Sequence, residues 1–281
     1  MTQPLTETSI DLDAYFQRIG YDGERTPTLD TLRAIHARHA TMIPFENLTP
    51  LLRQPVRLDT ASLQHKLVQR GRGGYCFEQN LLLRAVLLAL DFRVSGLAAR
   101  VRWNVPDEVV TARGHMLLRV DIDGQAYLAD VGFGGLTLTA PLALIPDIEQ
   151  PTPHEPFRVI ADGDGYMMQA YIVQTWKSLY RFDLQDQYLP DYEVTNWYLS
   201  NNPSSHFVTG LMAARPDGDR RYALRNNQLA IHHRNGATER RVLTTVAELR
   251  AILQDGFRIT LPDTPDLDPT LQRLVEQSQR A

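Results

Sequence analysis

The chain has 281 residues, of which 43% are hydrophobic and 22% are charged, and its 29 basic and 33 acidic side chains leave a net charge of −4. This balance disfavours nucleic acid as a partner, because proteins bind its backbone through a clustered basic surface. The length exceeds that of a usual single domain and predicts two or three modest domains or one elaborate one.

The sequence indicates neither export nor a membrane span. Residues 1–13 are polar and acidic and lack the apolar segment of a signal peptide. The most apolar stretch, residues 81–90, contains Arg84 and falls short of the roughly 20 apolar residues of a membrane helix. The single cysteine, Cys76, can form no internal disulfide, which fits a reducing compartment. We therefore expect a soluble, cytoplasmic protein with no membrane partner.

The first third of the chain predicts helices. Apolar residues recur at helical spacing over residues 12–90, for example at Leu29, Leu32 and Ile35. The hydroxyl of Thr28 is placed to cap the first turn of one of these helices.

A glycine-rich loop leads into a long apolar helix pattern at Cys76, within the run RGGYCFEQN of residues 72–80. The first-turn amides of a helix have no intrahelical acceptor, and the helix dipole favours negative charge there. A thiol at this position is therefore placed to ionise and to act as a nucleophile. The alternative is that Cys76 is a small buried hydrophobic residue, as free cysteines often are.

From Phe92 onward, short alternating runs are typical of an antiparallel sheet or barrel. The strands predicted for this region are residues 94–102, 116–122, 125–131, 157–160 and 166–173. Further strands are predicted at residues 221–224 and 228–232, followed by one helix at about residues 246–253 and a polar tail.

The pair Asp123–Gly124 lies between two strand-like runs and predicts a two-residue hairpin turn. Residues equally distant from that turn face each other, so His115 lies opposite Gly132 and becomes a diagonal neighbour of Asp130 on one face. Diagonal partners have Cα atoms about 7–8 Å apart, a gap that side chains can bridge. A slip of one residue would place them on opposite faces.

Cys76, His115 and Asp130 together could form an activated nucleophile. The thiol needs a base to take its proton, and the imidazole needs a carboxylate that fixes its tautomer and orientation. The alternatives are that His115 is a satisfied core histidine and that Asp130 only ends a strand. His232 and His233 point to opposite faces of a strand, so we expect no metal site there.

Four motifs in chain order resemble the arylamine N-acetyltransferase family in its bacterial form. They are IPFENL at residues 43–48, RGGYCFEQN at residues 72–80, DVGFG at residues 130–134, and NWYLS at residues 196–200 with the following Pro203, Ser204 and Phe207.

The resemblance implies an α+β fold in three parts. Residues 1–90 would form an N-terminal helical bundle that carries the nucleophile. Residues 91–200 would form a β-barrel that carries the histidine and the aspartate, and residues 201–281 would form a C-terminal α/β lid. The first two parts would make a cysteine-protease-like catalytic core.

The resemblance also implies a ping-pong reaction. The acetyl group of acetyl-CoA would pass through a thioester on Cys76 to the nitrogen of an arylamine, an arylhydroxylamine or an arylhydrazine, with no metal. His115 would be the proton partner and Asp130 its orienting carboxylate. An oxyanion hole would come from backbone amides near Cys76.

Binding residues follow from the same resemblance. The positions that match the acceptor pocket of relatives are Phe45, Val101, Phe133 and Phe207, and an apolar pocket suits a flat amine. Phe45, Val101 and Phe133 could also be ordinary core residues. The positions that match coenzyme A contacts are Trp103, Gly132 and Phe207. Relatives often have Thr or Ser where this chain has Gly114, so a hydroxyl contact to the cofactor is expected to be missing.

Several further residues have expected structural roles. Arg72 and Glu46 are predicted to form an ion pair that holds the loop before Cys76. Glu78 and Asn80 are predicted to satisfy backbone groups around the helix start. Gly132, Gly134 and Gly135 are interpreted as a tight turn that lets the backbone approach the thioester on Cys76. They are not a dinucleotide fingerprint, because no helix pattern follows them.

Two other functions are alternatives at this point, and the first of them remains open. A cysteine hydrolase or a transglutaminase-like acyltransferase could use the same Cys-His-Asp triad, since one constellation serves several acyl transfers. A protein that binds coenzyme A or aromatic molecules without turnover is disfavoured, because all three triad residues are present.

Overall fold

The structure is a computed structural model and describes residues 10–106 and 108–279. Residues 1–9, on which much of the argument against an export signal rests, lie outside the described residues. The α-helices, in chain order, are α1 (Leu12–Ile19), α2 (Leu29–Met42), α3 (Leu48–Leu51), α4 (Thr60–Leu63), α5 (Cys76–Ala89), α6 (Leu189–Asn201), α7 (His206–Thr209), α8 (Val246–Ala251) and α9 (Leu267–Gln279). Among the helices described, none is long and apolar enough to cross a membrane.

The strands form two antiparallel sheets. In chain order they are β1 (Phe45–Glu46), β2 (Arg93–Val101), β3 (His115–Ile122), β4 (Gln125–Ala129), β5 (Leu142–Ala143), β6 (Phe157–Asp162), β7 (Gly165–Ile172), β8 (Thr175–Phe182), β9 (Met212–Asp217), β10 (Arg220–Arg225), β11 (Gln228–His233) and β12 (Thr238–Val242). A seven-stranded, barrel-like sheet has the order β5-β4-β3-β2-β8-β7-β6, and a five-stranded sheet has the order β1-β9-β10-β11-β12. The predicted α+β class and antiparallel pairing are confirmed.

The predicted starts of two helices are also confirmed. The Thr28 hydroxyl accepts a hydrogen bond from the Thr31 amide at 3.3 Å and caps α2. Helix α5 begins at Cys76, and the Glu78 carboxylate accepts a hydrogen bond from the Tyr75 amide at 3.1 Å, as expected for a residue that satisfies this helix start.

The prediction of a polar tail is wrong, because residues 267–279 form helix α9. Leu267, Leu271, Leu274 and Val275 recur at helical spacing and are buried against the five-stranded sheet and its neighbouring helices. The polar residues between these positions lie on the exposed face of the helix. They make the average polarity of the segment high, so average polarity alone does not reveal the helical spacing of its apolar residues. Helix α6 and strands β8 and β9 were likewise not among the predicted elements.

Three apolar clusters hold the layers together. The first packs α1, α2 and α5 against one face of β3 and contains Cys76. The second fills the space between the five-stranded sheet and the C-terminal helices. The third lies within the seven-stranded sheet. Strand β1 joins the five-stranded sheet by pairing with β9, so the short segment between α2 and α3 is part of the C-terminal sheet.

The predicted ion pair between Arg72 and Glu46 is confirmed. Arg72 donates to the Glu46 carboxylate from Nη2 at 2.8 Å and from Nε at 2.9 Å, and both side chains are buried. Burial alone would raise the pKa of Glu46, but the charges of Arg72 and Lys66, with hydrogen bonds from Arg72 and the Leu48 amide, lower it. Lys66 also binds Glu78 at 2.6 Å. These pairs fix the loop that precedes Cys76.

We expect the substitution Glu46→Gln to lower the free energy of unfolding by about 3–5 kcal/mol, because it leaves the Arg72 charge buried without its partner. The exposed pair of Arg33 with Asp30 provides the control, since Arg33→Gln should cost less than about 1 kcal/mol. Urea unfolding of both variants measures the difference. Equal losses would contradict a special role for the buried pair.

The loop after β4 lies directly against the start of α5. A Cβ atom on Gly132 would lie 2.7 Å from the Cys76 Cα and 2.8 Å from the Asn80 Nδ2, distances that real Cβ contacts do not adopt. The predicted close approach of this glycine turn to Cys76 is therefore confirmed for Gly132.

The substitution Gly132→Ala is expected to destabilise the protein by about 1–3 kcal/mol, the usual cost of adding a methyl group to a tightly packed site. The neighbouring Gly135 is the matched control, because a Cβ there would meet no heavy atom within 4 Å. Thermal unfolding should show a lower midpoint for Gly132→Ala than for Gly135→Ala. Identical midpoints would show that the loop can move away at no cost.

Candidate active site

Cys76 is the first residue of α5 and is 4% exposed. The apolar residues that follow it bury the helix against the first cluster, so the position of the thiol is set by the packing of the whole helix. The Cys76 Sγ lies 3.8 Å from the Gly114 carbonyl oxygen, immediately before the histidine of β3. The start of α5 therefore places the Cys76 thiol next to the beginning of β3.

The hairpin brings His115 and Asp130 together, as we expected from the predicted turn. Strands β3 and β4 pair from Ile122 with Gln125 to Leu118 with Ala129, so the turn is centred on residues 123 and 124. The His115 Nε2 lies 2.7 Å from the Asp130 Oδ2, and both side chains are buried. The diagonal contact predicted from the sequence is confirmed.

The Asp130 carboxylate is fully buried and satisfied on both oxygens. Its Oδ1 accepts hydrogen bonds from the Asn80 Nδ2 at 3.0 Å and from the Gly132 amide at 2.9 Å. Burial alone would raise the pKa of Asp130, but the charge and hydrogen bond of His115, together with these two donors, lower it. Asp130 is therefore a fixed negative charge at neutral pH.

His115 is buried between this charge and the thiol. Burial alone would lower the pKa of His115, but the Asp130 charge and hydrogen bond and the interaction with the Cys76 side chain raise it well above its usual value. Because Nε2 is bound to Asp130, Nδ1 is the ring nitrogen left to serve the thiol. The three residues can thus pass a proton between the sulfur and the imidazole while the carboxylate holds the ring.

Asn80 satisfies backbone groups, as expected, and these groups lie on the elements packed against α5. Its Nδ2 donates to the Met116 carbonyl at 2.7 Å as well as to Asp130, and its Oδ1 accepts from the Val131 amide at 3.1 Å. Asn80 thus connects α5 to β3 and to the loop after β4. The spacing of four residues from Cys76, which places both on one helix face, was the available signal.

Two aromatic rings pack against His115. The Phe133 ring centroid lies 5.1 Å and the Tyr180 centroid 4.9 Å from that of the imidazole. Tyr180 was missed in the sequence because β8 was not predicted. It faces Val101, a predicted acceptor-pocket residue, across the β2–β8 pair.

A second aromatic group lies around Phe207. Its ring centroid is 6.3 Å from that of Phe45 and 5.2 Å from that of Tyr75, the residue before Cys76. The Tyr75 hydroxyl donates to Asn196 of the fourth motif. The predicted pocket residues Phe45 and Phe207 are therefore in one aromatic group that borders the start of α5.

The remaining predicted contact residue, Trp103, is partly buried and packs against the third cluster beyond the end of β2. His232 and His233, which were not expected to bind metal, contact Thr238 at 3.0 Å and Glu239 at 2.5 Å. Across residues 10–106 and 108–279, no three His, Cys, Asp or Glu side chains lie close enough together to hold a metal ion.

Comparisons with known proteins agree with the motifs. A family model described as N-acetyltransferase matches residues 28–266. The arylamine N-acetyltransferase of Mycobacterium tuberculosis is 46% identical over 259 residues, which cover 91% of each chain. The structure of the Mycobacterium marinum enzyme superposes with a TM-score of 0.91 at 42% identity, covering 94% of this chain and 100% of that one.

A second Mycobacterium marinum structure, a complex with CoA, superposes with a TM-score of 0.89 at 42% identity and covers 95% of this chain and 99% of that one. The residues that the family model matches include Cys76, His115 and Asp130. The chain belongs to the arylamine N-acetyltransferase family of enzymes.

Proposed function

We propose that the protein transfers the acetyl group of acetyl-CoA to the nitrogen of an arylamine, an arylhydroxylamine or an arylhydrazine through a thioester on Cys76. The observation that carries the proposal is the buried arrangement of Cys76 beside His115, with the His115–Asp130 contact of 2.7 Å behind it. The curated relatives named as arylamine N-acetyltransferases and the relative solved with CoA support the choice of acceptor and donor.

In the first half-reaction, the Cys76 sulfur attacks the carbonyl carbon of acetyl-CoA. The attacking form of the sulfur is the thiolate, paired with the His115 imidazolium, because a cation beside a helix start favours the charged sulfur. Collapse of the tetrahedral intermediate forms acetyl-Cys76 and expels coenzyme A, whose thiolate takes the proton that His115 holds. Backbone amides near Cys76 supply the oxyanion hole.

In the second half-reaction, the amine nitrogen attacks the carbonyl carbon of acetyl-Cys76. His115 takes the proton that the nitrogen loses, and the Cys76 sulfur leaves as the thiolate, which regenerates the ion pair. Asp130 stays ionised throughout and stabilises the imidazolium that each half-reaction requires. The same base thus serves both substrates in turn, which makes the reaction ping-pong.

The substrates are proposed to occupy the two aromatic groups beside the triad. Phe45, Val101, Phe133 and Phe207 would hold the aromatic ring of the acceptor, since Phe133 packs on His115 and Phe45 packs with Phe207. Trp103, Gly132 and Phe207 would contact coenzyme A. Gly132 suits this role because its lack of a side chain already lets its backbone approach Cys76.

Each part of the chain has its own task in this reaction. Residues 1–90 supply the nucleophile, residues 91–200 supply the base and the carboxylate, and residues 201–281 form the lid. The cytoplasm is the proposed location, because it holds acetyl-CoA in a reducing environment that keeps the single thiol free.

Incubation with acetyl-CoA and no amine should add one acetyl group to Cys76, which peptide mass spectrometry will locate. The variant Cys76→Ser is the control and should carry no thioester. Addition of an arylamine should then release the acetylated amine and return free Cys76. Steady release of acetate with no need for an amine would instead identify a hydrolase, and full activity without acetyl-Cys76 would exclude the thioester mechanism.

The variant Asp130→Asn should fold but form acetyl-Cys76 at least about 100-fold more slowly, because a neutral amide cannot stabilise the His115 imidazolium. Asp121→Asn is the matched control, since Asp121 lies on β3, the strand of His115, and binds Arg119 in a half-exposed pair away from the triad. Single-turnover acetylation kinetics compare the two variants. A wild-type rate in Asp130→Asn would refute the orienting role.

A further inference from the structure

A second buried histidine lies behind the triad. His36 of α2 is fully buried, and its Nε2 accepts a hydrogen bond from the Asp130 backbone amide at 3.2 Å. The β3–β4 ladder ends at the Leu118–Ala129 pair, so the Asp130 amide lies one residue beyond the last paired strand residue. A buried amide needs an acceptor, and at this position a side chain from another layer of the fold provides it.

The hydrogen bond defines the tautomer of His36. A ring nitrogen that accepts must carry a lone pair, so the proton of the neutral ring is on Nδ1. The Nδ1 atom has no hydrogen-bond partner among the described residues. Burial lowers the pKa of His36 to about 4, although the Asp130 charge acts in the opposite direction. His36 is therefore neutral at physiological pH and presents an acceptor to Asp130.

The contacts of Asp130 divide between its side chain and its main chain. The carboxylate is held by His115, Asn80 and the Gly132 amide. On the main chain, the carbonyl accepts from the Thr137 hydroxyl at 3.1 Å, and the amide donates to His36. The direction of the short aspartate side chain follows from where its backbone is fixed, since it has only two rotatable bonds.

We propose that His36 is a positioning residue, which holds the main chain of Asp130 from α2 and thereby directs the Asp130 carboxylate at His115. It touches neither substrate and acts only through Asp130. The inference concerns the same site as the proposed function and therefore rests on it for its consequence in catalysis.

The positioning role explains why a hydrogen-bond acceptor, rather than an apolar side chain, is needed at position 36. An apolar residue at position 36 would leave the Asp130 amide buried without an acceptor, a condition that the loop can relieve only by moving. Any such movement is transmitted to the 2.7 Å contact between Asp130 and His115. The imidazolium then loses its counter-charge, and the Cys76 thiolate loses its partner.

Three substitutions of His36 separate positioning from packing. In His36→Gln, the side-chain amide oxygen lies about as far from the backbone as Nε2 of the histidine, so an acceptor is kept for the Asp130 amide. In His36→Asn, the amide oxygen lies only as far out as the unpartnered Nδ1. His36→Leu has no acceptor. His154→Leu is the matched control, because His154 is also buried with a pKa lowered to about 4 by burial, but contacts Thr139 and the Arg220 carbonyl instead.

Two measurements need neither acetyl-CoA nor an amine. The first is the rate of Cys76 alkylation by iodoacetamide at neutral pH, and the second is the pKa of His115 by histidine NMR, with the signal assigned by its absence in His115→Gln. We expect His36→Leu and His36→Asn to lower the alkylation rate at least about tenfold and to lower the pKa of His115 by about one unit or more, toward 6.5.

In His36→Gln, both quantities should stay close to wild type, with an alkylation rate within about threefold. His154→Leu should lower the thermal unfolding midpoint but change neither quantity. A result in which the Gln, Asn and Leu variants all match wild type, or in which all three fall equally, would overturn the proposal. If His36→Leu does not fold, the comparison of His36→Gln with His36→Asn decides.

Failure of this inference is distinguishable from failure of the proposed function. If wild-type Cys76 forms the acetyl thioester and the His36 variants alkylate at wild-type rates, the function stands and the positioning role is wrong. If wild-type Cys76 forms no thioester while the pKa of His115 still depends on the acceptor at position 36, the positioning role stands and the proposed function is wrong.

Discussion

The buried charge of Asp130 is the constraint on which the site depends. A carboxylate removed from water is tolerated only where opposite charge and hydrogen bonds replace its hydration. Here His115 supplies the charge, and Asn80 and the Gly132 amide supply the remaining donors. These groups come from β3, α5 and the loop after β4, so the sheet and the helical layer must meet at one point for the charge to be stable. The same contact raises the pKa of His115, because the Asp130 charge and hydrogen bond favour the imidazolium.

Two glycines allow neighbouring backbone segments to lie in close contact around Cys76. Gly132 lets the loop after β4 touch the first residue of α5, and a Cβ on Gly73 would lie 2.0 Å from the Pro44 carbonyl oxygen. The two loops that meet the helix start therefore leave no space for a side chain at these two glycines. The buried pair of Arg72 and Glu46 adds a directional contact to this packing. The thiol is thus held by backbone contacts and charge rather than by the apolar cluster alone.

Local chemistry made much of this site predictable. The turn at Asp123 and Gly124 determines the register of β3 and β4, and the register determines that His115 and Asp130 share a face. The helix start at Cys76 follows from the glycines before it and the apolar run after it. The ion pair of Arg72 and Glu46 was predicted from charge and the resemblance of the motifs. Helix α9 was also encoded in the spacing of its leucines, but its polar face concealed it.

The sequence by itself determined the residues that carry chemistry and the local geometry of one ribbon, because turns, strand alternation and helix periodicity act over a few neighbouring residues. Only the tertiary structure decided which distant groups meet them. Asn80 reaches Asp130 across 50 residues of chain, Tyr180 reaches His115 from β8, and His36 reaches the Asp130 amide across 94 residues. Their partners are set by how α2, α5 and the barrel-like sheet pack, and hydrogen bonds between layers have no periodicity along the chain.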